Sequence, residues 1–328
     1  MLALWAACAP TGNAQAVGPA ACRVRVPITV NDPSAPQPED FLRVRIRSRD
    51  KTVKVVATQA AKGSRRVVVL LDLSGSMATD HPIVGDDIWE EARSLAREFL
   101  AAMQPEDWAA LHIFATRHEV VIPLTQDVGS VMRALDELPK PASEDARVRA
   151  GYYTDAVGAV GMAVDQTKQL ESGDVILLIS DGQGNTGRME MGPLAADLSG
   201  RGLRVSLLRV GPEPDFRFPN ALRMTQFAWQ TGGFTLSTWN ARVVVPGYER
   251  RISEQPPPAE RVRGVARVAN HMLRGFSWVE LEFARCDGKP RELKLELRDE
   301  RGRRVDERTV LYPRYVAAMA KKEELANQ

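Results

Sequence analysis

The sequence predicts an α/β protein whose main domain is a doubly wound, mostly parallel sheet. Segments such as RRVVVLLD (65–72) and DVILLIS (174–180) are apolar nearly throughout, which is typical of strands buried on both faces. Segments with helical spacing of apolar residues separate such strands, and this alternation indicates a parallel sheet covered by helices on both sides. Before and after this region the pattern has period two, which predicts an additional small antiparallel β domain.

The predicted elements follow one another with short connections. One helix begins at an Asp that can cap it, and its apolar residues recur every three or four positions over 86–103. In chain order we predict strands at 24–30, 42–48, 51–59 and 65–72, a helix at 86–103, strands at 108–115 and 120–125, helices at 128–138 and 154–170, a strand at 174–180, a short helix at 189–199, a strand at 203–210, a last helix at 220–230, and antiparallel strands at 276–283, 291–299 and 303–313.

These elements divide the chain into four parts. Residues 1–22 are predicted to be a signal peptide and linker, 23–62 an N-terminal β segment, 63–240 the α/β domain, and 241–328 a C-terminal β segment. The proline-rich stretch SEQPPPAE (253–260) is predicted to be a link within the last part. The N-terminal β segment is too short to close a core alone, so we expect it to pack with the C-terminal one.

The N-terminus and the overall charge bear on location and partners. MLALWAACAPTGNAQA contains a short apolar stretch and an Ala-Gln-Ala cleavage pattern, so we predict export, although the basic region of a signal peptide is missing. A disordered cytosolic tail is the alternative, and whether Cys8 is lipidated stays open. No apolar run approaches the ~20 residues that span a bilayer. The net charge of +2 argues neither for nor against a polyanionic partner.

Four arginines share one face of the second predicted strand. A solvated face of a half-buried sheet is the favoured explanation, because a surface that binds single-stranded nucleic acid would interleave aromatic residues among the charges. We therefore predict no nucleic-acid partner. The four are Arg43, Arg45, Arg47 and Arg49.

The chain has three cysteines, namely Cys8, Cys22 and Cys286. Removal of a signal peptide would remove Cys8, after which Cys22 and Cys286 could pair and join the two β segments. Two unrelated free thiols are the slightly favoured alternative. No C-x-x-C and no zinc-type spacing is present.

A group of oxygen-bearing side chains is predicted at the carboxyl ends of the parallel strands. The first buried strand ends in LLDLSGSM, the helix at 154–170 opens with a threonine, and the strand at 174–180 is followed by an aspartate. Strand ends of this kind converge on one crevice in a doubly wound sheet, where ligands bind. The predicted site residues are Asp72, Ser74, Ser76, Thr154 and Asp181.

Two carboxylates and three hydroxyls are hard oxygen donors. They suit Mg²⁺, or Ca²⁺ or Mn²⁺, and Mg²⁺ takes six oxygens in an octahedron and keeps several waters. Two aspartates roughly neutralise the ion, while the hydroxyls add ligands without charge. A cation held in this way stays electrophilic and can accept a carboxylate from another molecule.

Other chemistries fit the sequence less well. LLISDGQGNTGR (177–188) contains the spacing G-x-G-x-x-G, but it follows a late strand, the next strand ends in Arg209 rather than an acid, and Asp181 would repel a pyrophosphate. The sequence contains no G-x-S-x-G, no H-E-x-x-H and no P-loop. His112 lies in a predicted strand, where a packed or hydrogen-bonded core histidine is the usual case. We predict no enzymatic activity.

The three-part pattern resembles the metal-ion-dependent adhesion site (MIDAS) of the von Willebrand factor A (VWA) domain. D-x-S-x-S, a threonine, and a strand followed by Asp-Gly occur in this order, and the resemblance covers about 63–240. YYTDAVG lacks the glycine that often precedes the threonine in that family. A loop at 78–87 is extended, and Asp80 within it could add a ligand or crowd the site. The flanking β segments resemble those of exported bacterial VWA-related proteins.

The resemblance implies a role for each residue and two hypotheses for function. Ser74 and Ser76 would bind the metal directly, and Thr154 directly or through water. Asp72 and Asp181 would often act through water. The first hypothesis is a non-enzymatic adhesion or interaction module whose cation bridges to an acidic residue of a protein or peptide ligand. The alternative is a structural or scaffold protein of the cell envelope, in which the metal only stabilises the fold. The oligomeric state stays open.

Overall fold

A computed structural model describes thirteen stretches of the chain. They are residues 22–30, 45–49, 51–61, 63–79, 87–183, 190–211, 219–238, 243–245, 248–249, 258–285, 287–298, 301–304 and 310–317. The predicted signal peptide, Cys8, Arg43, Asp80 and Cys286 lie outside them.

The elements are numbered in chain order. The strands are β1 (Cys22–Val30), β2 (Arg45–Ser48), β3 (Val53–Ala60), β4 (Arg66–Asp72), β5 (Trp108–Phe114), β6 (His118–Thr125), β7 (Val175–Ser180), β8 (Arg204–Arg209), β9 (Thr235–Ser237), β10 (Val243–Val245), β11 (Tyr248–Glu249), β12 (Phe276–Phe283), β13 (Pro290–Glu292), β14 (Leu295–Arg298), β15 (Val310–Leu311) and β16 (Tyr315–Ala317). The helices are α1 (Ile88–Ala101), α2 (Val128–Asp136), α3 (Glu144–Arg149), α4 (Ala156–Gln166), α5 (Met191–Gly200), α6 (Pro219–Gln230) and α7 (Pro258–Arg274).

The main sheet has eight strands in the order β11-β10-β9-β8-β7-β4-β5-β6. β4 pairs in parallel with β5 and β7, and the parallel run continues through β8 to β9. β6 and the strands beyond β9 are antiparallel. The doubly wound, mostly parallel sheet predicted from the apolar runs is therefore confirmed.

Alternate residues of the central strands form two separate cores. Val67, Val69 and Leu71 pack with the buried face of α1, while Val68 and Leu70 pack with α4 on the other side. α1 begins where predicted, because the carboxylate of Asp87 accepts hydrogen bonds from the N–H groups of its first turn. The result is a three-layer arrangement with both faces of β4 buried.

The N- and C-terminal segments form the predicted antiparallel β domain. β1 pairs along its length with β12, β3 pairs with the other edge of β12, and β15 adds to β1. β2 pairs with β14, and β13 with β16. The proposed domain boundaries at 22, 62 and 240 stay predictions.

The prediction that 220–230 is the last helix is wrong. α7 follows it and packs on α1, so part of the predicted C-terminal β segment (241–328) belongs to the α/β core. The Asn270 side chain donates to the carbonyl of Phe99 in α1 over 3.0 Å. In the sequence, the apolar stripe of α7 is narrow, lies among many charged residues and directly follows a run of prolines. The buried residues are Val262, Val265, Ala266, Ala269, Met272 and Leu273.

The β domain lies at the amino ends of the parallel strands. Arg204, the first residue of β8, is 1% exposed, and its guanidinium lies 4.0 Å from the ring centroid of Phe276 in β12. The Trp278 ring lies so close to Gly173, just before β7, that a Cβ there would be 2.6 Å from it. The carboxyl ends of the strands are thus on the side away from the β domain.

Two further findings concern the cysteines and the helices. Cys22 is disulfide-bonded, so the slightly favoured expectation of free thiols is wrong for this residue; both other cysteines lie outside the described stretches. Within the stretches that are described, none of the helices combines the length and the apolar character that crossing a bilayer requires.

Candidate metal centre

The two predicted carboxylates come from neighbouring parallel strands. Asp72 is the last residue of β4, and Asp181 directly follows β7. Leu71 and Ile179 are paired in the register of these strands, so both aspartates leave the sheet at the same edge. They are 0% and 1% exposed, respectively. The sheet therefore brings two buried carboxylates together, as the sequence predicted.

Asp72 is held by hydrogen bonds to both of its oxygens. Its Oδ1 accepts the backbone N–H of Ser74 over 2.8 Å, and its Oδ2 accepts the hydroxyl of Ser180 over 2.6 Å. Burial raises the pKa of Asp72 to about 6, although these bonds from Ser180 and Ser74 lower it. The carboxylate is thus fixed in orientation but poorly compensated in charge.

The two serines of D-x-S-x-S face each other. A 3₁₀ turn at Gly75–Ala78 follows Ser74 and brings the Oγ atoms of Ser74 and Ser76 to 3.2 Å. Ser74 is buried and Ser76 is half-buried. The hydroxyl of Ser76 also lies close enough to Asp181 to lower the pKa of that carboxyl. The serines therefore connect the two aspartates.

One carboxylate oxygen of Asp181 lacks a hydrogen-bond partner among the described residues. Its Oδ1 accepts the N–H of Gln183 over 2.8 Å, whereas its Oδ2 is buried and has no hydrogen-bond partner in the described stretches of the chain. Burial first, and then the negative charge of Asp72, raise the pKa of Asp181 to about 7. Arg209, at the end of β8, is a nearby cation that lowers it. A buried oxygen without a partner is costly unless something binds it.

The loop that carries Thr154 is tied by its backbone to the serine turn and to β5. It is 6% exposed and precedes α4, whose N-terminus is capped by Asp155. The loop is tied to the serine turn, since the N–H of Gly75 donates to the carbonyl of Tyr152 over 2.9 Å. It is also tied to β5, because the N–H of Asp155 donates to the carbonyl of Ala115 over 2.9 Å.

Sequence reasoning missed Ser180. Its hydroxyl donates to Asp72 and accepts the N–H of Gly182 over 3.0 Å, so it links the two strand ends. The available signal was a single polar residue closing the apolar strand VILLIS. Gly182 has a φ of +75°, a conformation that favours glycine and lets the chain turn sharply after β7. Gly184 and Gly187 of the same loop lie outside the described stretches.

The donor set is rich in oxygen but modest in charge. Where the chain is described, no three or more His, Cys, Asp or Glu side chains are grouped so that they could hold a metal ion. This group has two carboxylates, its further donors are the hydroxyls of Ser74 and Ser76, and the sequence adds the hydroxyl of Thr154 as a predicted donor. That composition suits a hard cation that keeps some of its water, as Mg²⁺ does.

A family comparison agrees with the fold and with the motif order. The model of the von Willebrand factor type A domain matches residues 67–183, a range that includes all five predicted site residues. Residues 67–183 of the chain therefore resemble a von Willebrand factor type A domain. Such domains are generally protein-interaction modules rather than enzymes, and the match supports an interaction role for this part of the chain.

Solved structures of similar shape are only distantly related. An aerotolerance-related membrane protein from Bacteroides fragilis is 18% identical, with a TM-score of 0.44, over 64% of this chain and 100% of its own. BatB from Bacteroides thetaiotaomicron is 19% identical, with a TM-score of 0.37, over 63% and 87%. Proximal thread matrix protein 1 from the mussel byssus is 12% identical, with a TM-score of 0.46, over 66% and 49%. No curated protein matches the sequence.

Proposed function

We propose that this protein is a metal-dependent adhesion or interaction module. In this proposal Asp72, Ser74, Ser76, Thr154 and Asp181 hold a divalent cation, Mg²⁺ or else Ca²⁺ or Mn²⁺. The cation would supply a Lewis-acidic position for an acidic side chain of a partner protein or peptide. The chain's own part is to orient the oxygens and to keep the crevice at the carboxyl edge of the sheet open.

The unpartnered Oδ2 of Asp181 is the observation that carries the proposal. It is buried beside a second buried carboxylate, and the pKa values of both groups are raised, to about 7 and about 6. Without a cation, the folded protein bears the cost of two desolvated and mutually repelling carboxyl groups. A divalent cation would remove both costs at once. This supports a metal-binding role for these residues over a role in which they only cap helices.

The position of the β domain also favours an interaction role. Its contacts with the α/β domain lie at the amino ends of the strands, around Gly173 and Arg204, whereas the candidate metal centre is at the carboxyl ends. The contacts of the described part of the β domain thus lie at the opposite end of the strands from the candidate metal centre. This placement supports a role in which a partner approaches the carboxyl edge of the sheet.

We further propose that the protein is exported. Cys22 is disulfide-bonded, and stable disulfides are typical of oxidising compartments outside the cytosol. This agrees with the signal-like N-terminus. A direct check is the mass of the mature protein from the native envelope fraction, which would show removal of the N-terminal segment; recovery of unprocessed protein only from the cytosol would contradict export.

Metal binding can be tested directly with the full chain. Isothermal titration with Mg²⁺ and Mn²⁺ is expected to give one site in the wild type and a loss of at least tenfold in affinity in Asp181→Asn, roughly 1.4 kcal/mol or more. Asp165→Asn is the matched control, because Asp165 is an exposed aspartate of α4. Equal affinity in wild type and Asp181→Asn would contradict the assigned ligands.

Partner binding separates the two hypotheses. The full chain is used to capture proteins from the native envelope fraction with Mg²⁺ and again with a chelator. An interaction module loses its partner with chelator and in Asp72→Ala while circular dichroism still reports the fold. A partner retained without metal would instead favour the structural alternative, in which the cation only stabilises the domain.

A further inference from the structure

Exposed apolar side chains are concentrated beside the candidate metal centre. Of the seven large hydrophobic side chains that are exposed in the described stretches, three fall within residues 148–153, immediately before Thr154. Val148 is 68% exposed, Tyr153 65% and Tyr152 45%. We call these three the tyrosine rim. Exposed aromatic groups in a cluster are typical of interaction surfaces.

The tyrosine rim is held rigidly by the turn between β5 and β6. The hydroxyl of Thr116 accepts the N–H groups of Tyr152 and Tyr153 over 3.3 and 3.0 Å and donates to the carbonyl of Tyr153 over 3.1 Å. The Arg117 guanidinium donates to the carbonyls of Arg147, over 2.8 Å, and Val148. A partner therefore meets a preorganised surface and pays little ordering entropy.

Tyr152 adjoins the metal-binding serines directly. Its ring lies over Gly75, where an added Cβ would be 2.3 Å from the ring carbon Cζ. Gly75 stands between Ser74 and Ser76, and its N–H is bonded to the carbonyl of Tyr152. A ligand whose carboxylate reaches the cation would consequently have its neighbouring side chains next to the tyrosine rim.

A positively charged side chain adjoins the tyrosine rim. The guanidinium carbon of Arg147 is 5.1 Å from the ring centroid of Tyr152. Arg147 has no ion pair with any residue that the structure describes, whereas Arg149, two positions further on, is neutralised by Glu119 at 2.6 Å. Arg147 is thus available to a second acidic group of a bound segment.

We propose that the tyrosine rim and Arg147 form a second contact area for the partner at the metal edge. The partner segment is an acidic peptide stretch that carries an aromatic or large aliphatic residue beside its metal-binding carboxylate. The carboxylate supplies attachment, and the apolar neighbour supplies selectivity through burial against Tyr153 and Val148. This inference rests on the proposed function and identifies the chemistry of its partner.

Three synthetic peptides test this partner chemistry. Each is a blocked, glycine-flanked heptapeptide, with a central aspartate between two phenylalanines, a central aspartate between two serines, or a central asparagine between two phenylalanines. Their dissociation constants are measured by fluorescence anisotropy with the full chain in Mg²⁺ and in chelator. We expect the Phe-Asp-Phe peptide to bind about tenfold more tightly than Ser-Asp-Ser, and Phe-Asn-Phe to bind at least tenfold more weakly than Phe-Asp-Phe.

Single-residue variants test whether the tyrosine rim is responsible for the preference for phenylalanine. Tyr153→Ser is expected to reduce the preference for phenylalanine to less than twofold, while calorimetric Mg²⁺ affinity stays unchanged because Tyr153 is not among the proposed ligands. Tyr315→Ser is the matched control, since Tyr315 is 36% exposed in the β domain. It should leave the preference intact.

The outcomes distinguish this inference from the proposed function. Equal binding of the two aspartate peptides, or a preference that survives in Tyr153→Ser, overturns the inference while the metal proposal stands. Metal binding without binding of either aspartate peptide also overturns it. Failure of the wild type to bind metal overturns the proposed function and this inference with it.

Discussion

Replacing Asp181 by asparagine is expected to stabilise the metal-free protein at neutral pH. Asp181 is 1% exposed, and burial together with the charge of Asp72 raises its pKa from the ordinary 3.8 to about 7. Asparagine has nearly the same shape and can still accept the N–H of Gln183 at its side-chain oxygen. It carries no charge, so the cost of ionising a buried carboxyl disappears.

The raised pKa of Asp181 determines the size of the expected stabilisation. One pKa unit corresponds to about 1.4 kcal/mol, so holding Asp181 ionised above pH 7 weakens the folded state by at most about 4 kcal/mol. Part of this belongs to the coupled pair with Asp72, which relaxes when either charge is removed. We therefore expect Asp181→Asn to raise the free energy of unfolding by about 1–3 kcal/mol in chelator.

The pH dependence has a definite sign. Between about pH 4 and pH 7 the folded protein retains a proton on Asp181 that the unfolded chain releases, so the unfolded state binds fewer protons. This group therefore makes the free energy of unfolding fall as pH rises through that window. The difference between variant and wild type should be small near pH 4 and largest above pH 7.

Urea denaturation of the full chain followed by circular dichroism measures these quantities. The comparison uses wild type, Asp181→Asn and the exposed control Asp165→Asn, each in chelator and in Mg²⁺. Mg²⁺ is expected to stabilise the wild type and the control more than Asp181→Asn, because the stabilisation by mass action falls as the affinity of the folded state for the ion falls. The reasoning is refuted if Asp181→Asn is no more stable than wild type in chelator above pH 7.

Three further predictions concern other contacts. Gly75→Ala is expected to turn the exposed ring of Tyr152 away, changing near-ultraviolet circular dichroism and weakening Phe-Asp-Phe binding, with a stability loss under about 1 kcal/mol; an unchanged spectrum would contradict it. His112 is buried and His118 half-buried, and the pKa values of both are lowered, that of His112 to about 3. Stability should therefore fall as pH drops below about 6.5, less steeply in His112→Gln, as urea titrations would report. Cys22→Ser should cost about 2–4 kcal/mol under oxidising conditions; equal urea midpoints for wild type and variant would exclude this.

The parts of the fold with strong local signals could be predicted from the sequence. β4 and β7 are apolar throughout, and such runs have few alternatives to a central strand. The aspartates at their ends follow, because adjacent parallel strands end at the same edge. His112 was expected to be a packed core histidine, and it is 1% exposed with its Nδ1 3.0 Å from Nε2 of His118.

The features that could not be predicted from the sequence depend on contacts between residues that are far apart in the chain. α7 is a helix because its apolar stripe finds α1, more than 150 residues earlier in the chain, and no local pattern identifies that partner. Ser180 looked like the polar end of a strand, and only the position of Asp72 on the neighbouring strand makes its hydroxyl a hydrogen-bond donor to the site. The ring of Tyr152 over Gly75 likewise follows from two loops that meet in space.

The pairing of β1 with β12 has a consequence for biosynthesis. β1 ends at Val30, while its partner strand starts at Phe276, so the whole α/β domain is translated between them. At about 5–20 residues per second, β1 waits roughly 10–50 s for its partner to leave the ribosome. During that interval the edges of β1 are unpaired and open to pairing with other chains. The β domain is consequently the last to fold. A chain that ends before residue 276 would contain β1 without the sheet to which it belongs.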